Sequence, residues 1–286
     1  MKVFYIKQAE WEIDFFKNDL FHGISHEFIL FDGKYILSLI NDSNKIVNTC
    51  LVVNDTILFS DVLTVVKEIK PKIVFHLSDE RGNIPEWGSL ENHTIYVRQY
   101  NHYNCKNIMP LGYAKTMLNG IYSLDIPRTK IKDRNYDWSF IGSIKSDRID
   151  MFNNFTKEFP NYFVDCGINP WNISSLNISP QKMGEIYNNS VFVPIGSGNW
   201  SLDCFRFYEA IIMGAIPVIV GCSEEIKKTY FIHQIKPLFI YSNDWNSAAF
   251  KCKQITQKEL QIMQDSNYNW WKSEIENIQN LIKQNC

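Results

Sequence analysis

The segment that most restricts the fold runs from Val191 to Val220. It opens on an apolar, β-branched run, Val191 to Ile195, suited to a buried strand. Gly196 to Asn199 has turn chemistry. Ser201 is expected to cap a helix that continues to Met213. Gly214 would supply the left-handed position after it, with Pro217 just beyond. Ile216 to Val220 reads as the next buried strand. A helix between two buried apolar strands implies parallel pairing and a right-handed crossover.

The rest of the chain repeats this alternation. Strands are predicted at Glu27–Phe31, Lys34–Ile40, Lys45–Val53, Lys72–Leu77, Thr94–Val97, Trp138–Ile141, Tyr162–Asp165 and Pro237–Tyr241. Helices are predicted at Asp61–Lys70, at Asp147–Phe159 with Ile149, Phe152 and Phe155 inward, at Pro180–Tyr187, and at Ser223–Phe231. A further helix spans Lys258–Gln284, with a candidate break near Asn267. Residues 123 to 137 are polar and aperiodic and read as a linker. The fold class is therefore α/β, with two Rossmann-like domains facing a cleft. The domains are expected at 1–125 and 126–260, with a further helix at 261–286. Ligands of open α/β sheets sit outside the carboxyl ends of the strands, and the polar motifs below all follow strands.

Arg206 and Glu209 lie three apart, on one helical face. One turn rises about 5.4 Å, close to the step from a diphosphate to its ribose. The helix N-terminus before them favours an anion. A surface Arg–Glu pair on an ordinary βαβ helix has the same spacing. The order Asp203, Arg206, Glu209, Ala210, then Gly214, Ile216, Pro217 and Val218, after a small polar turn, resembles the donor-binding segment of exostosin-like glycosyltransferases. That resemblance implies the two-domain GT-B arrangement, with 1–125 on the acceptor side, 126–260 binding the nucleotide-sugar and the helix at 261–286 returning to the first domain. It also implies Arg206 on the diphosphate and Glu209 on the ribose hydroxyls. Pro194, Ser201 and Asp203 join them as donor-side candidates. At the start of the second domain, Gly142, Ser143, Lys145 and Arg148 form a small-residue turn with positive charge, similar to one the family places near the donor.

In the first half, Asp79 and Glu80 follow a buried strand. A carboxylate within about 3 Å of an acceptor hydroxyl can take its proton as it attacks; a helix cap or solvated turn is the alternative. His76, in mid-strand, reads as a satisfied core histidine. The series His76-Leu77-Ser78-Asp79-Glu80, then Val97-Arg98-Gln99-Tyr100, then Pro110-Leu111-Gly112-Tyr113, within residues 73 to 113, resembles more loosely the ribitol xylosyltransferase branch and related glycosyltransferases of large DNA viruses. By that analogy Asp79 is the first choice of base and Glu80 the second. Arg98 follows a strand in the same half and is a candidate for the phosphate or the acceptor, a surface arginine being the alternative.

The net charge of −2 gives no nucleic-acid footprint, and no run of about 18 apolar residues encodes a membrane span. Seven scattered cysteines without Cys-x-x-Cys suggest reduced thiols in a cytoplasm, that of a host cell if the enzyme is viral. There is no P-loop and no Gly-x-Gly-x-x-Gly. No Asp-x-Asp is present to hold a divalent metal, so neither metal nor other cofactor is expected. The reading is an inverting glycosyltransferase moving a sugar, xylose by the nearer resemblance, from a UDP-sugar to a glycan acceptor. A non-catalytic nucleotide- or glycan-binding module and a UDP-sugar epimerase-like enzyme are the alternatives.

Overall fold

The computed structural model describes residues 1–45, 48–82, 85–101, 106–144, 146–167, 178–196, 198, 200–230 and 236–286. The chain forms two compact units, one of Met1–Leu111 with Glu274–Cys286, the other of Gly112–Ser273. Each contains one parallel sheet.

In the first unit the elements are β1 (Lys2–Ile6), a short α1 (Ile13–Phe15), β2 (Glu27–Phe31), β3 (Thr49–Asn54), α2 (Phe59–Ile69), β4 (Ile73–Leu77), β5 (Ile95–Arg98) and β6 (Asn107–Ile108). The sheet order is β2-β1-β3-β4-β5-β6, all parallel. Parallel strands covered on both faces read as continuous apolar runs, and β3 and β4 are buried at every position. Tyr5, Phe15, Phe16, Phe21 and Phe75 form the aromatic core on one side. α2 ends on Lys70 in the left-handed conformation, just before Pro71.

One expected strand is a helix. Residues 34–40 lie within a 3-10 stretch, Gly33–Lys45. Ile36 and Leu39 are buried while Tyr35 and Leu37 are exposed, a period of three rather than two. Asp32 starts it by accepting the Lys34 N–H on its side chain and the Tyr35 N–H on its carbonyl.

The second unit holds β7 (Tyr136–Ser143), α3 (Ser146–Glu158), β8 (Tyr162–Gly167), α4 (Pro180–Asn188), β9 (Ser190–Ile195), α5 (Phe205–Ile212), β10 (Ile216–Val220), α6 (Ser223–Tyr230), β11 (Ile240–Ser242), α7 (Trp245–Gln254) and the first part of α8 (Gln257–Asn285). Its sheet order is β11-β10-β9-β7-β8, again all parallel. Trp138, Phe155, Phe192 and Trp245 fill its core. Within α3 the inward residues include Met151 and Phe155, whereas Ile149, expected inward, is exposed. α8 is continuous; Asn267, where a break was expected, instead uses its side chain to bond both the N–H and the carbonyl of Leu238.

The stretch read as a linker is docked on this unit. Ile126 and Ile131 are buried. Arg134 bonds the carbonyls of Thr129, Tyr187, Ser190 and Met213. Its guanidinium thus closes the end of α5, where Gly214 adopts φ +75°. A Cβ there would lie 2.6 Å from Gln264 Nε2 and 2.7 Å from Arg134 Nη2. Gly214→Ala should therefore cost roughly 2 kcal/mol or more, the sum of a left-handed backbone and a forced shift of two anchored side chains. Urea denaturation measures it, and a loss below ~0.5 kcal/mol would contradict this account.

Candidate functional site

In the second unit the first strand, β7, lies between the second, β8, and the third, β9. Such a reversal of strand order is the switch point at which open α/β sheets bind ligands, outside the carboxyl ends. β7 pairs with β8 as far as Ser143–Gly167, but its pairing with β9 is confined to Tyr136–Ser190 and Trp138–Phe192. Pro194, which has no N–H to give, lies on β9 beyond the stretch paired with β7, opposite Val218 of β10.

Two guanidinium groups gather where β7 ends. Arg206 donates Nε–H to the Ile141 carbonyl at 3.0 Å and lies 5.0 Å over the Phe140 ring. Arg148, from α3, lies 5.2 Å from the same ring and donates to the Ser143 carbonyl. A ring face favours both cations. Gly142, with φ +155°, makes room: a Cβ there would fall 2.5 Å from Arg206 Nη2. Burial disfavours the charge of Arg206, but Tyr187, Cys204 and Glu209 outweigh it and hold its pKa above the ordinary value. Gly142, Ser143, Arg148 and Arg206, chosen from distant stretches of sequence, thus converge. Lys145 lies outside the described residues.

α5 begins at Phe205 rather than after Ser201, with Cys204 at its N-cap. Ser201 instead accepts the Asp203 N–H at 3.0 Å, and the Asp203 carboxylate accepts the Tyr208 hydroxyl at 3.1 Å. These two residues shape the approach to the helix and do not cap it. Glu209 is buried; one of its oxygens accepts the Ala114 N–H at 3.1 Å. Burial raises its pKa to about 7 against the opposing pull of Arg206 and that N–H.

In the first unit, β4 ends at Leu77 and Ser78 turns through a left-handed conformation, φ +57°. Asp79 is buried. It accepts the Gly82 N–H at 3.1 Å and forms an ion pair with Arg98, which is fully buried at the end of neighbouring β5. The register pairs His76 with Arg98, so the parallel ladder itself brings this pair together. Glu80, the next residue, is half-buried. His76 is a core histidine with both nitrogens engaged: Nε2 with Asp55 at 2.8 Å, Nδ1 with the Tyr96 hydroxyl at 2.6 Å, and its ring stacked on Trp87. Asp55, His76 and Asp79 gather potential metal ligands within 4.8 Å of one another. The Arg98 cation against Asp79 and the committed imidazole suit a charge-paired core better than a divalent ion.

One acidic residue escaped the sequence reading. Glu12, after β1, is buried, accepts from the Gln99 amide and lies 3.4 Å from the Ser78 hydroxyl. Gln99 in turn accepts the Ser78 N–H at 2.8 Å. Glu12 belongs to no motif and only the sheet brings these loops together. Burial raises its pKa to about 8, against the two hydrogen bonds that favour the anion. A carboxyl group whose folded pKa exceeds its unfolded value contributes stability while protonated and withdraws it as pH rises through the folded value. Unfolding free energy should accordingly fall between about pH 5 and pH 8, and Glu12→Gln should flatten that fall by on the order of 1 kcal/mol or more. Urea titrations at several pH values check it; parallel slopes would contradict the assignment.

No protein-family model matches the chain, and no curated protein matches it. Among solved structures, an alpha1,3-fucosyltransferase is similar at 16% identity over 94% of this chain and 81% of that one, with a TM-score of 0.49. An identity this low carries no residue roles across. No helix among the described residues is long and apolar enough to cross a membrane.

Proposed function

We propose that this chain is an inverting glycosyltransferase of exostosin-like, GT-B type that takes its sugar from a UDP-sugar, with xylose the first candidate. The observation that carries the reading is the convergence of Arg206 and Arg148 on Phe140 and Gly142, at the switch point of the second sheet. Two fixed cations at the carboxyl end of a parallel strand suit a diphosphate. Glu209, one turn further along α5, is the candidate for the ribose hydroxyls.

In the proposed reaction an acceptor hydroxyl attacks the anomeric carbon as the bond to the diphosphate oxygen breaks. The charge that grows on the leaving group meets guanidinium groups already in place, so little reorganisation is required. The hydroxyl proton passes to a carboxylate base, for which Asp79 and Glu80 are the candidates. We take Glu80 as the base and Asp79, which is buried and paired with Arg98, as the alternative. No cofactor is assigned, and the acceptor is a glycan.

A thermal-shift screen of UDP-, GDP- and CMP-sugars, followed by a hydrolysis assay of the stabilising donor, tests the reading. Stabilisation by UDP-sugars and slow release of UDP are expected. Absence of any nucleotide response would sink it, and binding without hydrolysis or transfer would leave a non-catalytic module. With arginine supplying the positive charge, transfer should survive EDTA largely intact. Loss of activity in EDTA with rescue by manganese would overturn the metal-independent mechanism.

A further inference from the structure

Cys50 and Cys286 stand far apart in sequence, and their sulfurs lie 3.6 Å apart in the first unit. Cys50 is buried near the start of β3, in register with Val3 on one side and Ile73 on the other, so its backbone is fixed by two ladders. Cys286 follows α8 and is half-buried. Its N–H bonds the Ile282 carbonyl, and its carbonyl accepts from the Asn48 side chain at 3.2 Å. Both chain segments are therefore anchored close to the geometry a disulfide needs, with an S–S bond of about 2 Å. Both are free thiols.

We propose that Cys50 and Cys286 form a reversible disulfide that fastens the end of α8 to β3.

The two thiols have distinct chemistry. Hydrogen bonding with Cys50 lowers the Cys286 pKa, helped by the positive charge of Lys72, whereas Cys50 is raised by that same contact and by burial. Cys286, the more exposed and more acidic thiol, is the one to react first with an oxidant. With a small-molecule disulfide such as oxidised glutathione, the Cys286 thiolate attacks one sulfur and expels one glutathione thiolate. Cys50 then gives up its proton and attacks the Cys286 sulfur, expelling the second. The protein loses two electrons and two protons, and one glutathione disulfide becomes two glutathione thiols. Excess thiol reverses both steps.

The test equilibrates the full chain in buffers of graded reduced-to-oxidised glutathione ratio. Free thiols are then blocked by alkylation, and the unreduced protein is digested for mass spectrometry. A Cys50–Cys286 linked peptide should appear with rising oxidant and vanish with dithiothreitol. The oxidised protein should melt roughly 5 °C or more above the reduced one, because the bond closes a very long loop in the unfolded chain. Cys286→Ser, at the end of a helix, should lose both the linked peptide and the thermal shift. The inference is overturned if both cysteines are alkylated separately under oxidising conditions. It is equally overturned if Cys286 retains glutathione while Cys50 stays free, or if Cys286 links to another cysteine.

Discussion

Arg206→Ala should bind UDP at least tenfold more weakly than the wild type and transfer sugar more slowly still. A charge-assisted hydrogen bond to phosphate contributes about 1.5–3 kcal/mol, and about 1.4 kcal/mol is a factor of ten. The rate falls further because the diphosphate gains charge as the sugar leaves, an interaction stronger in the transition state than in the ground state. Arg206 also donates to the Ile141 carbonyl and occupies the space beside Gly142. Arg206→Lys therefore serves as companion: it keeps the charge but not the forked geometry, and should fall between the two. Calorimetric titration with UDP and an initial-rate assay report the two quantities. Undiminished UDP affinity in Arg206→Ala would remove the central support of the proposed site.

Glu80→Gln and Asp79→Asn should fail in different ways. Glu80→Gln keeps size and shape but cannot take a proton. It should leave UDP affinity unchanged and lower the transfer rate by roughly 10²-fold or more. Asp79→Asn strips the buried Arg98 of its counter-charge. Removing one partner of a buried ion pair costs on the order of 3 kcal/mol, so its main defect should be a lowered melting temperature. Kinetics set beside thermal melts separate these cases. A stable Asp79→Asn enzyme that has lost its rate, with Glu80→Gln fully active, would make Asp79 the base. Full activity in both would put the base elsewhere and overturn the reading of the first unit.

Much of the second unit was readable from local chemistry. The apolar runs of β7, β9 and β10 and the Gly214 stop of α5 each announce themselves within a few residues. So does the Asp203, Arg206, Glu209 spacing. Elements that depend on distant partners were harder. The strand β1 sits inside the first sheet, yet its five residues carry no turn signals of their own. Helix α7, Trp245–Gln254, went unread because its buried face, Trp245, Ala248, Ala249 and Cys252, consists mostly of small side chains that give a weak periodic signal. The start of α5 moved because Ser201 spends its hydroxyl on Asp203.

The candidate site was legible in the same uneven way. Residue types and order pointed to Arg206, Arg148 and Gly142, but nothing in a linear reading places two guanidinium groups about one phenyl ring. The Asp79–Arg98 pair is a product of sheet register, as is the link from Glu12 through Gln99 to Ser78. Pairings of this kind arise from strands far apart in sequence.

The first unit is discontinuous, and this sets an order on how the chain can be assembled. Its closing segment, Glu274–Cys286, buries Ile275, Ile278 and Ile282 and sends the Gln279 side chain to the Asp19 carbonyl. A ribosome delivers residues 1–111 early, but those apolar contacts do not exist until the last stretch of α8 emerges. The second unit, Gly112–Ser273, is contiguous and has its whole sequence before that moment. Vectorial synthesis thus lets the later-encoded unit finish first, while the earlier one waits with part of its core open to solvent.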